Sequence, residues 1–226
     1  MRNDAEGRRL RSHQGWDPGA AEIARSLSRS LGAPLFLGDI SRLWIDLNRS
    51  PHNPAVFGDW ARSLSREERK RLLDRHHASH WHSVMSTLED AWKRGERVLH
   101  VAVHSFAPVV RGARRNFDVG LLYDSRIPAE RRLSREWQRL LAEELPTLRV
   151  RRNQPYLGRN DGLPTAVRRR FGSEAYCGIE LELGQALLRD ARRRRRLKRA
   201  LEASLAQILG GGASIRARRG GRATDE

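Results

Sequence analysis

Apolar runs of strand length alternate along this chain with segments of helical period, and that alternation confines it to an α/β architecture. Residues 97–103 (RVLHVAV), 118–123 (DVGLLY), 148–152 and 178–183 (GIELEL) read as strands, and 34–40 (PLFLGDI) and 42–47 as two more. Between them lie helical stretches. Asp17 caps the first, Pro18 opens it and Gly32 stops it. Ser65 and Glu68 form a capping box for a long helix that ends near Arg94 and Gly95. Further helices span 128–144 and 185–209, and 165–171 gives a helical turn or two. The expected fold is a three-layer αβα sandwich around a central, mostly parallel or mixed sheet. The 226 residues suit one core, placed at 13–209, with a disordered or partial N-terminus at 1–12 and a disordered basic tail at 210–226.

In such folds chemistry gathers at the C-terminal ends of the strands. The segment 41–49 (SRLWIDLNR) places Arg42, Asp46, Asn48 and Arg49 close together. A guanidinium fork matches a carboxylate bidentately, an adjacent amide adds a donor, and Asp46 is placed to hold one Arg. His104 ends the strand at 97–103, and Glu180 and Glu182 share a face of the late strand because side chains alternate with period two. Each also has a quieter reading. The imidazole can be a hydrogen-bonded structural group, the two acids can pair with Arg side chains, and Arg115 with Asp118 can be a local ion pair. His76, His77, His80 and His82 read as the polar face of a helix and are not assigned a metal.

Charge and cysteine usage narrow the partners. The net charge of +17 raises the prior for a polyanion, yet the only dense run is 192–199 and few aromatic residues lie near it. A solvated basic face is favoured there over nucleic-acid binding. Cys177 is the only cysteine, which rules out an internal disulfide and a cysteine-based zinc cage. No apolar run is long enough to span a bilayer and no secretory signal is visible, so the expected location is cytoplasmic, with no membrane partner. The oligomeric state is not encoded in any motif.

Five segments taken in order, SRLWIDLNRS at 41–50, HSFAP at 104–108, RNFDVGLLYD at 115–124, NQPYLG at 153–158 and GIELE at 178–182, resemble the N-formylglutamate amidohydrolase family over roughly residues 13–188. That family is similar in fold to zinc carboxypeptidases and to the aspartoacylase group. The resemblance implies zinc-dependent hydrolysis of an N-acyl amino acid such as N-formylglutamate, a small-molecule carboxylate, giving formate and glutamate. It implies His104 as a zinc ligand, with Asp17 a further ligand by position. Asn48 and Arg49 would hold a substrate carboxylate, Arg115 a second one, and Arg42 would stabilise the oxyanion. Glu182, or after it Glu180, would be the general base. Family members carry their first zinc-binding His in a Cys-Glu-His-x-Gly-Asn-like segment that this sequence starts too late to include. The pocket around His104 is therefore expected to be open on one side, with an apolar sheet edge left unpaired. A catalytically silent carboxylate binder, and a basic nucleic-acid binder using 192–199 on a hydrolase-like fold, are the alternative functions.

Overall fold

The structure is a computed structural model that describes residues 4–110 and 112–211. Its centre is a four-stranded mixed sheet in the order β1-β6-β4-β5, with β1 Val98–Phe106, β4 Val119–Leu122, β5 Val150–Arg152 and β6 Tyr176–Gly184. The pairs β1–β6 and β4–β5 are parallel, and β4 runs antiparallel to β6. A small hairpin joins β2 (Val109–Val110) to β3 (Ala113–Arg114). Along β1, the strand pairs His104 with Glu182 and Ala102 with Glu180.

Period-two alternation sorts the two faces. Leu99, Val101 and Val103 of β1 and Ile179, Leu181 and Leu183 of β6 point into the main core. Helices α2 (Ala20–Leu31), α5 (Pro128–Glu144), α7 (Gln185–Arg189) and α8 (Ala191–Gly210) cover that face. They do so through apolar stripes such as Ile23 and Leu27, Leu140 and Leu141, and Leu197, Leu201 and Leu205. Trp137 lies wholly inside, and its indole N–H donates to Ser204 Oγ at 3.0 Å. On the opposite face, α4 (Ser79–Lys93) and α6 (Leu163–Ala175) bury Val84, Leu88 and Val167 over Tyr176 and Val98, at the starting ends of β6 and β1. The final halves of β1 and β6 on that face are left for His104, Glu180 and Glu182.

A buried ion pair ties the layers together. Glu130, in the first turn of α5, accepts from Arg168 Nε at 2.7 Å and from the Gly178 and Asp124 N–H groups at 2.9 and 2.7 Å. Arg168 in turn donates to the carbonyls of Gly158 and Gly178. Every buried charge in this group therefore has several partners.

Several expectations need correction. Residues 34–40 form no strand: Pro34 and Gly38 interrupt a short run, and Phe36 is exposed. Residues 42–47 are turns with one isolated bridge, Ile45 to Phe57; of Leu43, Ile45 and Leu47, whose alternation suggests a core-facing set, the first two are buried and Leu47 is half-buried. Asp17 does not cap α2; Gly19 in the left-handed region precedes the helix, and the Asp17 carboxylate is used elsewhere. The terminal helix breaks at Asp190, whose carboxylate accepts the N–H groups of Arg192 and Arg193 and so starts α8 afresh. The helix at 165–171 starts earlier, at Leu163, and the helical stretch that runs on to Ala175 is broken by a kink at Gly172, whose φ is 72°. Within 1–12, expected to be a disordered or partial N-terminus, Asp4–Leu10 form a helix (α1). The tail at 212–226 lies outside the described residues. Of the long helix, α3 (Arg66–Leu72) carries the predicted capping box and runs through a π-helical turn, Leu73–Ala78, into α4. Among the described residues β1 and β5 are the two edge strands of this sheet. No helix among the described residues is long and apolar enough to cross a membrane.

Candidate active site

His104 projects from the end of β1 and Glu180 and Glu182 project from the adjoining part of β6, as strand alternation requires. His104 Nδ1 lies 2.9 Å from Asp17 Oδ2, and its Nε2 is 3.9 Å from Glu180 Oε2. The other Asp17 oxygen accepts from Arg42 Nη2 at 2.8 Å. Asn48 Nδ2 donates to Glu180 Oε2 at 3.2 Å, while its Oδ1 accepts the Leu163 N–H. Thus Asp17, Arg42, Asn48, His104, Glu180 and Glu182, drawn from four separate stretches of sequence, form one cluster.

Within that cluster Glu182 stands apart. It is 6% exposed, and its Oε2 is buried with no hydrogen-bond partner among the described residues. Burial pushes its carboxyl up to about 7, against the pull of the nearby His104. Opposite it in register lies Gly120, where a Cβ would fall 2.0 Å from the Gln154 carbonyl and 3.2 Å from the Glu182 Cβ. A side chain there would crowd the carboxylate and displace the 153–158 loop. Burial alone would lower the His104 imidazole, but the hydrogen bond and charge of Asp17 outweigh it and raise it to about 9. Burial likewise works against the Asp17 carboxylate, which His104 and Arg42 nevertheless hold below its usual range.

The segment 46–50 is shaped by more than its own sequence. Asp46 accepts the Asn48 N–H at 3.0 Å and stands 3.8 Å from Arg49 Nε. Arg49 Nη1 donates to the Asp161 carbonyl, and the Asp161 carboxylate accepts from the Ser50 N–H and Asn53 Nδ2. From the helix above, Trp81 Nε1 donates to the Leu47 carbonyl and His77 Nε2 bonds the Arg49 carbonyl, both at 2.7 Å. His77 is stacked on Trp81 and buried, so within the polar helix face read for His76, His77, His80 and His82 it turns inward to a backbone carbonyl. The π-helical turn at 73–78 carries it; helical spacing alone gave no sign of it. Asp161 and Trp81 were missed for the same reason, since their work is done on backbone groups remote in sequence.

Arg115 is placed differently from Asn48 and Arg49. Its guanidinium lies 5.5 Å over the Phe106 ring and 5.2 Å over Tyr156, and donates to the Tyr156 hydroxyl at 3.2 Å. It does not pair with Asp118, whose partners are Arg149 and Arg193. Tyr156 belongs to the NQPYLG motif and lies close enough to Arg42 to act on its charge. Within the dense basic run, Arg193 turns to Asp118, while Arg194 pairs with Glu22 and the Leu188 carbonyl.

Zinc can be tested on this donor set. A catalytic zinc site takes three protein ligands and leaves one position open. Here His104 and Asp17 are bonded to each other, Glu180 is engaged by Asn48, and no three His, Cys, Asp or Glu side chains among the described residues are grouped to hold a metal. The arrangement seen does not fit a three-ligand zinc centre.

A profile of N-formylglutamate amidohydrolases matches residues 1–189, most of the chain. The chain belongs to the N-formylglutamate amidohydrolase family. Two solved structures share its fold. A gene product of Agrobacterium tumefaciens is 24% identical with a TM-score of 0.73, covering 93% of this chain and 82% of that one. The N-formylglutamate amidohydrolase of Ralstonia eutropha is 18% identical with a TM-score of 0.63, covering 87% and 82%. No curated protein matches the chain. The cluster around His104 and Glu182 therefore sits in an amidohydrolase-family fold, at the strand ends where α/β proteins place their chemistry.

Proposed function

We propose that the protein hydrolyses the amide bond of an N-acyl amino acid such as N-formylglutamate, releasing formate and glutamate. The observation that carries this reading is Glu182, a buried carboxyl near neutrality with one unpartnered oxygen, beside a guanidinium and an imidazole. A group that titrates near the working pH can take a proton from an attacking water and return it to the leaving amine. Arg42 commits one terminal nitrogen to Asp17, and the remaining donors of its fork can face the oxyanion that develops on the carbonyl. Asp17 orients both Arg42 and His104. Arg49 and Asn48, held by Asp46, Asp161, His77 and Trp81, supply donors for the carboxylate of the amino acid. Because the donor set does not fit zinc, no step is assigned to a metal.

One observation favours a second reading, a carboxylate binder without turnover: His104, Asp17 and Glu180 spend their polar atoms on one another and on Asn48 and Arg42. Turnover separates the two. Formate release from N-formyl-L-glutamate is expected for the wild type and expected to fall by about 100-fold or more in Arg42→Ala. Saturable binding of N-formyl-L-glutamate with no formate release would support the silent binder instead.

A further inference from the structure

Beyond the catalytic cluster, where β1 and β6 end at Phe106 and Gly184, the surface forms an open pocket of about 310 Å³. Its wall brings in β3, the start of α8 and the residue that precedes β5, so segments far apart in sequence build it. Four guanidiniums line it, those of Arg114, Arg115, Arg149 and Arg193, against the single carboxylate of Asp118. Asp118 is buried and organises two of them: it accepts from the Arg149 Nε at 3.0 Å and from the Arg193 Nη2 at 3.1 Å. Burial opposes its charge, but the hydrogen bonds from Arg149 prevail and hold the carboxyl below its usual range. Arg115 is fixed by its rings, Phe106 and Tyr156. One carboxylate thus gathers a set of like charges that it cannot balance, which leaves a surplus of positive charge inside a concave wall.

We propose that this pocket is an anion-binding site for a phosphate group, carried as inorganic phosphate or as the monoester of a small molecule. Guanidinium forks match phosphate oxygens bidentately. A planar carboxylate is satisfied by one fork, whereas donors arriving from three separate stretches of chain suit oxygens arranged tetrahedrally. The volume is at the lower end of small-ligand pockets, enough for the phosphate and a compact body attached to it. Asp118 keeps an acceptor beside the anion, and its repulsion is outweighed by the surrounding Arg charges.

The proposal is independent of amide hydrolysis and is tested without it. Inorganic phosphate is titrated calorimetrically into the full chain at ionic strength held constant with sodium chloride, beside the double variant R149Q/R193Q and beside Glu182→Gln. The outcome expected is saturation at one phosphate per chain, an affinity at least tenfold weaker in the double variant, and no change in Glu182→Gln. Circular dichroism of the double variant, whose two guanidiniums are largely in solvent, verifies its fold. Absence of saturable binding at matched ionic strength would overturn the proposal, as would equal affinity in a folded double variant. Tighter binding of succinate than of phosphate would overturn the choice of ligand. Glucose 6-phosphate in place of the free anion distinguishes the two sources, a gain in affinity marking the ester and a loss marking inorganic phosphate.

Discussion

Glu182 shows how a single side chain can carry both the cost and the use of a site. Its folded carboxyl titrates near 7 against an ordinary 4.5, chiefly because burial disfavours the charge. Between those values the folded chain holds a proton that the unfolded chain has lost, so stability falls as pH rises through that window. Above 7 the wild type bears the whole penalty of a buried carboxylate, and Glu182→Gln bears none. The variant is predicted to be more stable than wild type by about 1–3 kcal/mol at pH 8, with the gap closing towards pH 4.5. Urea unfolding at pH 8 and pH 5 reads this directly, and a gap that does not shrink on acidification contradicts it. At this scale the sequence was informative wherever chemistry was packed into short motifs. Arg42, Asn48, His104, Glu180 and Glu182 were all named from such motifs and all meet in one cluster. Asp17 was legible as a residue but not in its contacts, because a helix-capping reading accounted for it without any distant partner. Arg115 was named as well, yet it is seated on two aromatic rings at the border of the site.

At the scale of elements, the helices and long strands followed from periodicity and capping, and the irregular segment 42–50 did not. Alternation put Leu43 and Ile45 inside correctly, while Leu47 is only half-buried. It could not distinguish a strand from a chain of turns whose carbonyls are held from elsewhere. The π-helical turn before α4 is what brings His77 onto the Arg49 carbonyl, one helical turn before Trp81 reaches that of Leu47. These two bonds flank Asn48, so their loss should loosen the binding donors more than the acid–base group. Trp81→Phe keeps the ring and removes the N–H, leaving a carbonyl unsatisfied at a cost of about 1–3 kcal/mol. Its KM for N-formyl-L-glutamate is predicted to rise several-fold with kcat changed by less, as steady-state assays of formate release will show. A fall in kcat at unchanged KM would mean that the brace acts on Glu182 or His104 instead.

The whole molecule is organised around a sheet whose two faces do different work. One face is sealed by helices into the main core; the other is covered at the starting ends of β1 and β6 and given over to polar groups towards their finishing ends. The Glu130–Arg168 pair joins α5, α6, the 158 loop and the first residues of β6 in a single buried network. Glu130→Ala would strand the Arg168 charge in the interior, and a loss of about 3–5 kcal/mol in unfolding free energy is predicted from denaturant titration. The α/β class was legible in the order of elements, whereas β4 running against β6 was not, since local pattern is silent on direction. The central claim is that Glu182 moves the proton in amide hydrolysis. Its most direct test is kcat for formate release from N-formyl-L-glutamate in wild type, Glu182→Gln and Glu180→Gln under identical conditions. A fall of about 10²–10⁴-fold in Glu182→Gln, larger than that in Glu180→Gln, is the predicted result; a Glu182→Gln enzyme within a few-fold of wild type would contradict the account.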